Sequence, residues 1–178
     1  MQISRIYSNF HDLFTPIDFN CGEYSNRLNV IYGEVRHPSD QKRDSHNLGK
    51  TTLLHLIDFL LLKGTWPEHF LIKNKDRFHN FIFYIELILS DGDFATIRRS
   101  AADPGRVAMT RHSEAGFEFG AAPEDVWEHP DLSRDDAVRL LDSWLDLKIL
   151  KPYDYRMAIT YFLRAQGDYG DELQLQKF

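Results

Sequence analysis

Three consecutive residues, Gly49-Lys50-Thr51, put a flexible backbone, a long cation and a hydroxyl at the point where a polar stretch gives way to an apolar one. That combination can hold a phosphate chain. In the loop pattern G-x-x-x-x-G-K-[ST], backbone amides wrap the phosphates, the lysine reaches the outer ones and the hydroxyl ligates magnesium. Asp44 stands where the first glycine of the pattern is expected, which breaks the strict form. Asn47 lies two positions before Gly49, and asparagine is the non-glycine residue that best tolerates positive φ. Gly33 is the alternative first glycine, in which case residues 34–43 are an insertion in the loop.

Phosphate chemistry requires a strand to deliver the loop and a helix to receive it. The run LNVIYGE at 28–34 supplies a β-type apolar segment, and residues 28–32 are expected as a buried central strand. After the loop, residues 51–63 read as a helix. Leu53, Leu54, Leu56, Ile57, Phe59, Leu60, Leu61 and Leu62 leave only a narrow polar stripe at His55 and Asp58, so the helix is expected to be buried. Gly64 is the expected stop, with Pro67 preventing a return. The polar stretch 34–48 is expected to order around a ligand or partner.

Elsewhere the pattern is mostly β. Residues 2–10 and 13–19 read as strands, the second an edge or bulged strand because of Pro16. Residues 78–89 and 94–99 read as a hairpin about Ser90-Asp91-Gly92-Asp93. Residues 106–112 and 116–119 read as a second hairpin, and 121–132 as irregular. Ser133 is the expected cap of a helix with Asp135 and Asp136 in its first turn, stopped by Pro152. A further helix or helix–strand junction is expected over 155–164.

The chain has 178 residues, 43% of them apolar, and a net charge of −6. That balance argues against a generally basic nucleic-acid binder. The local basic groups Lys73, Lys75, Arg77 and Arg98, Arg99 read as solvated surface. A single cysteine, Cys21, excludes an internal disulfide and fits a reducing cytosol. The longest apolar stretch is too short to span a bilayer, so a soluble, cytoplasmic protein is expected. Eight histidines form no pair with zinc-site spacing. Asp91 and Asp93 resemble a calcium fragment but fit a hairpin turn better.

These pieces resemble the N-terminal lobe of an ABC-type ATPase head of the SMC and double-strand-break-repair class. The resemblance runs through SRIYSNF (4–10), PIDF (16–19), LNVIYGE (28–34) and GKTTLLHLIDFLL (49–62). DSHNLGKTTLLHLIDFLLLKG and the closing YFLRAQGDYGD look most like bacterial coiled-coil ATPases of unassigned function, found in multi-component, phage-defence-linked systems. The fold implied is α/β, a P-loop NTPase of ABC-ATPase type. It would have a mixed sheet around the P-loop helix, an antiparallel β subdomain at 78–120 and C-terminal helices, all within one lobe spanning 1–178. ATP and magnesium are the implied cofactors. The resemblance assigns Lys50 to the β- and γ-phosphates and Thr51 to magnesium, with Asn47, Gly49 and Thr52 lining the loop. It assigns Gln166 the role of the glutamine that senses magnesium and the attacking water.

The chain departs from this pattern in three ways. His11 follows Asn9-Phe10 where relatives carry a basic residue, Asp44 puts a carboxylate near the phosphates, and the chain contains neither an LSGGQ-like signature nor an apolar strand ending in Asp-Glu. The chain is therefore expected to be a fragment of a longer protein or half of a split one. Its partners would be its own C-terminal lobe, a second head, and DNA through the complete assembly, and it would hydrolyse ATP hardly at all alone. Two other readings stand beside this: a degenerate P-loop small-molecule or nucleotide kinase, and a non-catalytic interaction domain on the same fold.

Overall fold

The computed structural model describes residues 1–19, 29–31, 49–146, 154–159 and 162–163. Their centre is a single six-stranded sheet: β1 (Gln2–Ser8), β2 (Ile17–Asp18), β3 (Ile82–Ile88), β4 (Phe94–Ser100), β5 (Arg106–His112) and β6 (His129–Ser133), in the order β2-β1-β3-β4-β5-β6. All five pairings are antiparallel. The helices are α1 (Lys50–Leu60), α2 (Phe70–Lys73), α3 (Lys75–Phe78), α4 (Arg134–Trp144) and α5 (Tyr155–Ile159). The α/β class read from the sequence therefore holds. The sheet beneath α1 is antiparallel where a mixed one was expected, and the strands of 82–112 are continuous with β1 instead of standing apart.

Strand alternation divides the sheet into two faces. Ile6 pairs with Ile85, and Ile85 with Ile97. These three, with Phe83, Leu87, Val107 and Met109, form one wall of the main core. Leu56, Ile57, Phe59 and Leu60 of α1, and Ala137 and Leu141 of α4, close that core from above. The opposite face carries Tyr7, Tyr84 and Ala108, covered by Phe119 and Trp127 from the connection between β5 and β6. Tyr7 and Tyr84 stack with ring centroids 4.7 Å apart.

Several elements differ from the sequence expectation. Residues 29–31 form no strand, and Val30 and Ile31 are 76% and 49% exposed. β propensity alone does not make a strand there. The rest of 28–34 lies outside the described residues, as does the whole of the 34–48 stretch. Residues 116–119 are not a strand either. Gly116 takes φ +76, and its amide donates to the buried Glu86 carboxylate at 2.9 Å, which draws the chain across the far face. The partner of β5 is β6, inside the stretch read as irregular, where Pro130 on the sheet's outer strand fits a position that need not donate. The strand expected over 13–19 shrinks to Ile17–Asp18 beside Pro16, and β3 starts only at Ile82, because residues 75–78 are helical.

The caps separate a correct expectation from an incorrect one. Ser133 caps α4, its Oγ accepting the Asp136 amide at 3.2 Å. Ser133→Ala is expected to cost about 1 kcal/mol of stability, measurable by urea unfolding. Helix α1, in contrast, ends at Leu60 and not at Gly64, and Leu62 takes the left-handed conformation at φ +70. Leu62 is fully buried, and that burial offsets a backbone cost on the order of 1 kcal/mol that glycine would have avoided.

Candidate phosphate-binding site at the head of helix α1

Gly49 opens α1 in the left-handed conformation, φ +75, as a turn from loop to helix demands. The first intrahelical bond runs from the Leu53 amide to the Gly49 carbonyl at 2.8 Å. The amides of Lys50, Thr51 and Thr52 thus point out of the helix end without intrahelical acceptors. Among the described residues no side chain caps this end, and the first turn carries no acidic residue. Gly49, Lys50, Thr51 and Thr52 are all exposed. Among the described residues Lys50 forms no ion pair, whereas Lys63 on the same segment is bound to Asp58 at 2.6 Å. Four of the sequence-predicted site residues are therefore brought together on one helical turn. Asn47, Asp44, Gly33 and Gln166 lie outside the described residues.

The other end of α1 is built in the opposite way. Its terminal carbonyls are gathered by three arginines and a tyrosine from three different elements. Arg99 of β4 donates to the Phe59 carbonyl, to the Lys63 carbonyl at 2.9 Å, and to the Pro104 carbonyl. Arg134 of α4 donates to the Leu62 carbonyl at 3.3 Å. Arg156 of α5 donates to the Leu61 carbonyl at 3.0 Å and pairs with Asp58 at 2.7 Å, while the Tyr155 hydroxyl donates to the same carbonyl at 3.0 Å. Cations at a helix C-terminus complement the negative end of its dipole and satisfy its orphan acceptors.

Arg99 is 1% exposed, and its guanidinium lies 3.8 Å from the centre of the Phe59 ring. Burial pulls its pKa down to about 9, still charged at neutral pH. Sequence reading placed it on the solvated surface, which is incorrect. The available signal was parity: Ala95, Ile97 and Arg99 alternate onto the helix-covered face. Arg98, one position away, points to the other face and binds Glu124 at 2.6 Å.

The remaining sequence candidates find ordinary roles. His11 is half-exposed, with Nε2 3.8 Å from the Glu118 carboxylate. Asp91 and Asp93 sit at the β3–β4 turn and share Arg111, at 2.9 and 2.7 Å, as a hairpin and not as ligands. No cluster of metal-ligating side chains occurs among the described residues. A cleft of about 260 Å³ between β5 and the following loop, lined by Thr110, His112, Phe117, Phe119 and Val126 among others, includes none of residues 49–52. No helix among the described residues is long and apolar enough to cross a membrane.

No protein-family model matches the chain, and comparison with curated proteins and with solved structures gave no match.

Proposed function

We propose that the chain is the nucleotide-binding N-terminal lobe of an SMC-like ABC ATPase, with a P-loop at the head of α1. The observation that carries this reading is the asymmetry of α1. The protein saturates the carbonyl end with Arg99, Arg134, Arg156 and Tyr155, while among the described residues no side chain caps the amide end behind its left-handed glycine. An uncapped, cation-bearing helix start attracts phosphate.

The residues present fit the triphosphate in chemistry. Lys50 supplies charge to its outer phosphates, the amides of Lys50, Thr51 and Thr52 supply donors, and the Thr51 hydroxyl is a magnesium ligand. Asn47 and Gln166 complete the set by the family resemblance alone, Gln166 toward magnesium and the attacking water. Bound magnesium would offset charge on the phosphates. Hydrolysis would require the C-terminal lobe and a second head, and the assembly would act in the cytoplasm in DNA repair or anti-phage defence. The antiparallel sheet disfavours the kinase alternative, which calls for successive parallel β-α units.

A specific observation favours the non-catalytic reading as the second choice: residues 29–31, expected to lead into the loop as a strand, form none. Calorimetric titration with magnesium–ATP separates the three. Under the proposed reading the wild type binds, and Lys50→Ala weakens binding about 10- to 100-fold, the effect of losing a charge-assisted contact. Absence of binding by the wild type, even with the C-terminal lobe added, would leave the interaction-domain reading. ATP turnover by this chain alone would favour the kinase.

A further inference from the structure

Strand β6 pairs with β5 only as far as Met109 and His129, so among the described residues no strand lies outside Thr110, Arg111 and His112. The chain reaches β6 through a short turn at Glu124–Val126. The space between that turn and residues 113–119 is the cleft of about 260 Å³. Thr110 and His112 stand on the far face with Ala108 by strand alternation, and Phe117, Phe119 and Val126 line the cleft with them.

The lining is aromatic and holds one loosely bound polar group. Phe117 and Phe119 meet with ring centroids 4.6 Å apart, and Phe119 and His112 at 5.1 Å. Both nitrogens of His112 are taken, Nδ1 by the Glu114 carbonyl at 2.7 Å and Nε2 by the Thr96 hydroxyl at 2.8 Å. Thr110 is 4% exposed, yet the carbonyls of Arg111 and Val126 that its hydroxyl faces both lie at 3.4 Å. A good O–H···O bond closes to about 2.8 Å, so this buried hydroxyl is poorly satisfied and a guest in the cleft would relieve it.

The surround is acidic. Residues 113–133 hold six carboxylates and neither lysine nor arginine. Arg5, Arg98 and Arg106 of the sheet pair with Glu118, Glu124 and Asp131. Glu114, on the cleft, and Asp125, beside Val126, are exposed and form no ion pair among the described residues. Arg111, whose guanidinium is held by Asp91 and Asp93, does not offset them.

We propose that this cleft binds a small aromatic amine in its protonated form. The ring lies against Phe117, Phe119 and Val126, a polar ring substituent meets the Thr110 hydroxyl, and the ammonium faces Glu114. Aromatic walls and a carboxylate both favour a cation, whereas an anion of the same shape meets the acidic rim unpaired. A cavity of about 150 Å³ takes one benzene, so the volume here has room for a ring with a short chain. The cleft includes none of residues 49–52, so this proposal does not depend on ATP binding at the head of α1.

The test is NMR titration of the full chain with tyramine, tyrosol and 4-hydroxyphenylacetate, which share a phenol and differ in charge. Tyramine is expected to shift the amides of Thr110, His112 and Phe119 with a Kd of about 1 mM, the range for a ligand of its size. Tyrosol is expected to bind about fivefold more weakly, the weight of an exposed ion pair, and 4-hydroxyphenylacetate more weakly still. Glu114→Gln is expected to abolish the preference for tyramine over tyrosol. Thr110→Val is expected to weaken all three probes about two- to tenfold, the loss of one hydrogen bond. Phe117→Ala, at a half-exposed position, is expected to weaken all three with an unchanged melting temperature. No shift of those amides at about 10 mM tyramine, where a millimolar site is nearly full, overturns the proposal. Equal affinity for the three probes, or a preference for tyramine that survives Glu114→Gln, overturns it as well.

Discussion

Arg99→Met is expected to destabilise the protein by about 3–5 kcal/mol, lowering the thermal midpoint by roughly 10 °C for a chain of this size. The side chain is fully buried, and its guanidinium donates to carbonyls of Phe59, Lys63 and Pro104. Removing it leaves buried acceptors unpaired, each costing about 1–3 kcal/mol, and methionine cannot replace the donors. It also removes the cation lying over the Phe59 ring. Arg99→Lys is expected to recover only part of the loss, because an ammonium lacks the planar fork that reaches several acceptors at once. Urea unfolding of both variants measures this. A loss under 1 kcal/mol for Arg99→Met would mean that α1 does not depend on its carbonyl-end collar.

The second large effect is one of pH. His69 is 1% exposed, and its Nδ1 accepts the Leu71 amide at 3.3 Å at the start of α2. His55, Trp66 and Phe70 surround the ring, at centroid distances of 6.1, 4.7 and 4.9 Å. Burial is the main cause that lowers its pKa from 6.5 to about 4, with His55, Arg99 and Lys63 adding repulsion. The folded state therefore holds His69 neutral while the unfolded chain takes up a proton below pH 6.5. Stability from this residue is complete above pH 6.5 and is lost as pH falls toward 4, by about 3 kcal/mol in all. His69→Phe removes the titration and is expected to flatten the slope between pH 7 and 5 relative to wild type. Parallel slopes for the two proteins would show that His69 does not titrate in this window. Since other carboxylates respond equally in both proteins, the difference isolates the imidazole.

The sequence made some of this structure legible and hid the rest for physical reasons. Local rules worked where a residue's neighbours in the chain decide its role. Ser133 with Asp135 and Asp136 announced α4, and Asp91-Gly92 announced the β3–β4 turn. The run from Leu53 to Leu62 announced a buried helix. Local rules failed where partners come from far along the chain. His129-Pro130-Asp131-Leu132-Ser133 looks like a loop and becomes a strand because β5 offers it an edge, while residues 29–31 look like a strand and form none. Arg99 is legible only through its alternation with Ala95 and Ile97, since two of its acceptors, the Phe59 and Lys63 carbonyls, lie 40 and 36 positions away around the end of α1. At the candidate site, Gly49 to Thr52 were legible as a unit because all four sit on one turn.

The sheet's two described margins have a consequence for behaviour in concentrated solution. One margin is β2, only two residues long, and the other is β6, interrupted by Pro130. Neither presents a long row of free amides and carbonyls to another molecule. A protein built largely of antiparallel ribbons is in this way kept from joining rim to rim with its own copies and seeding fibres.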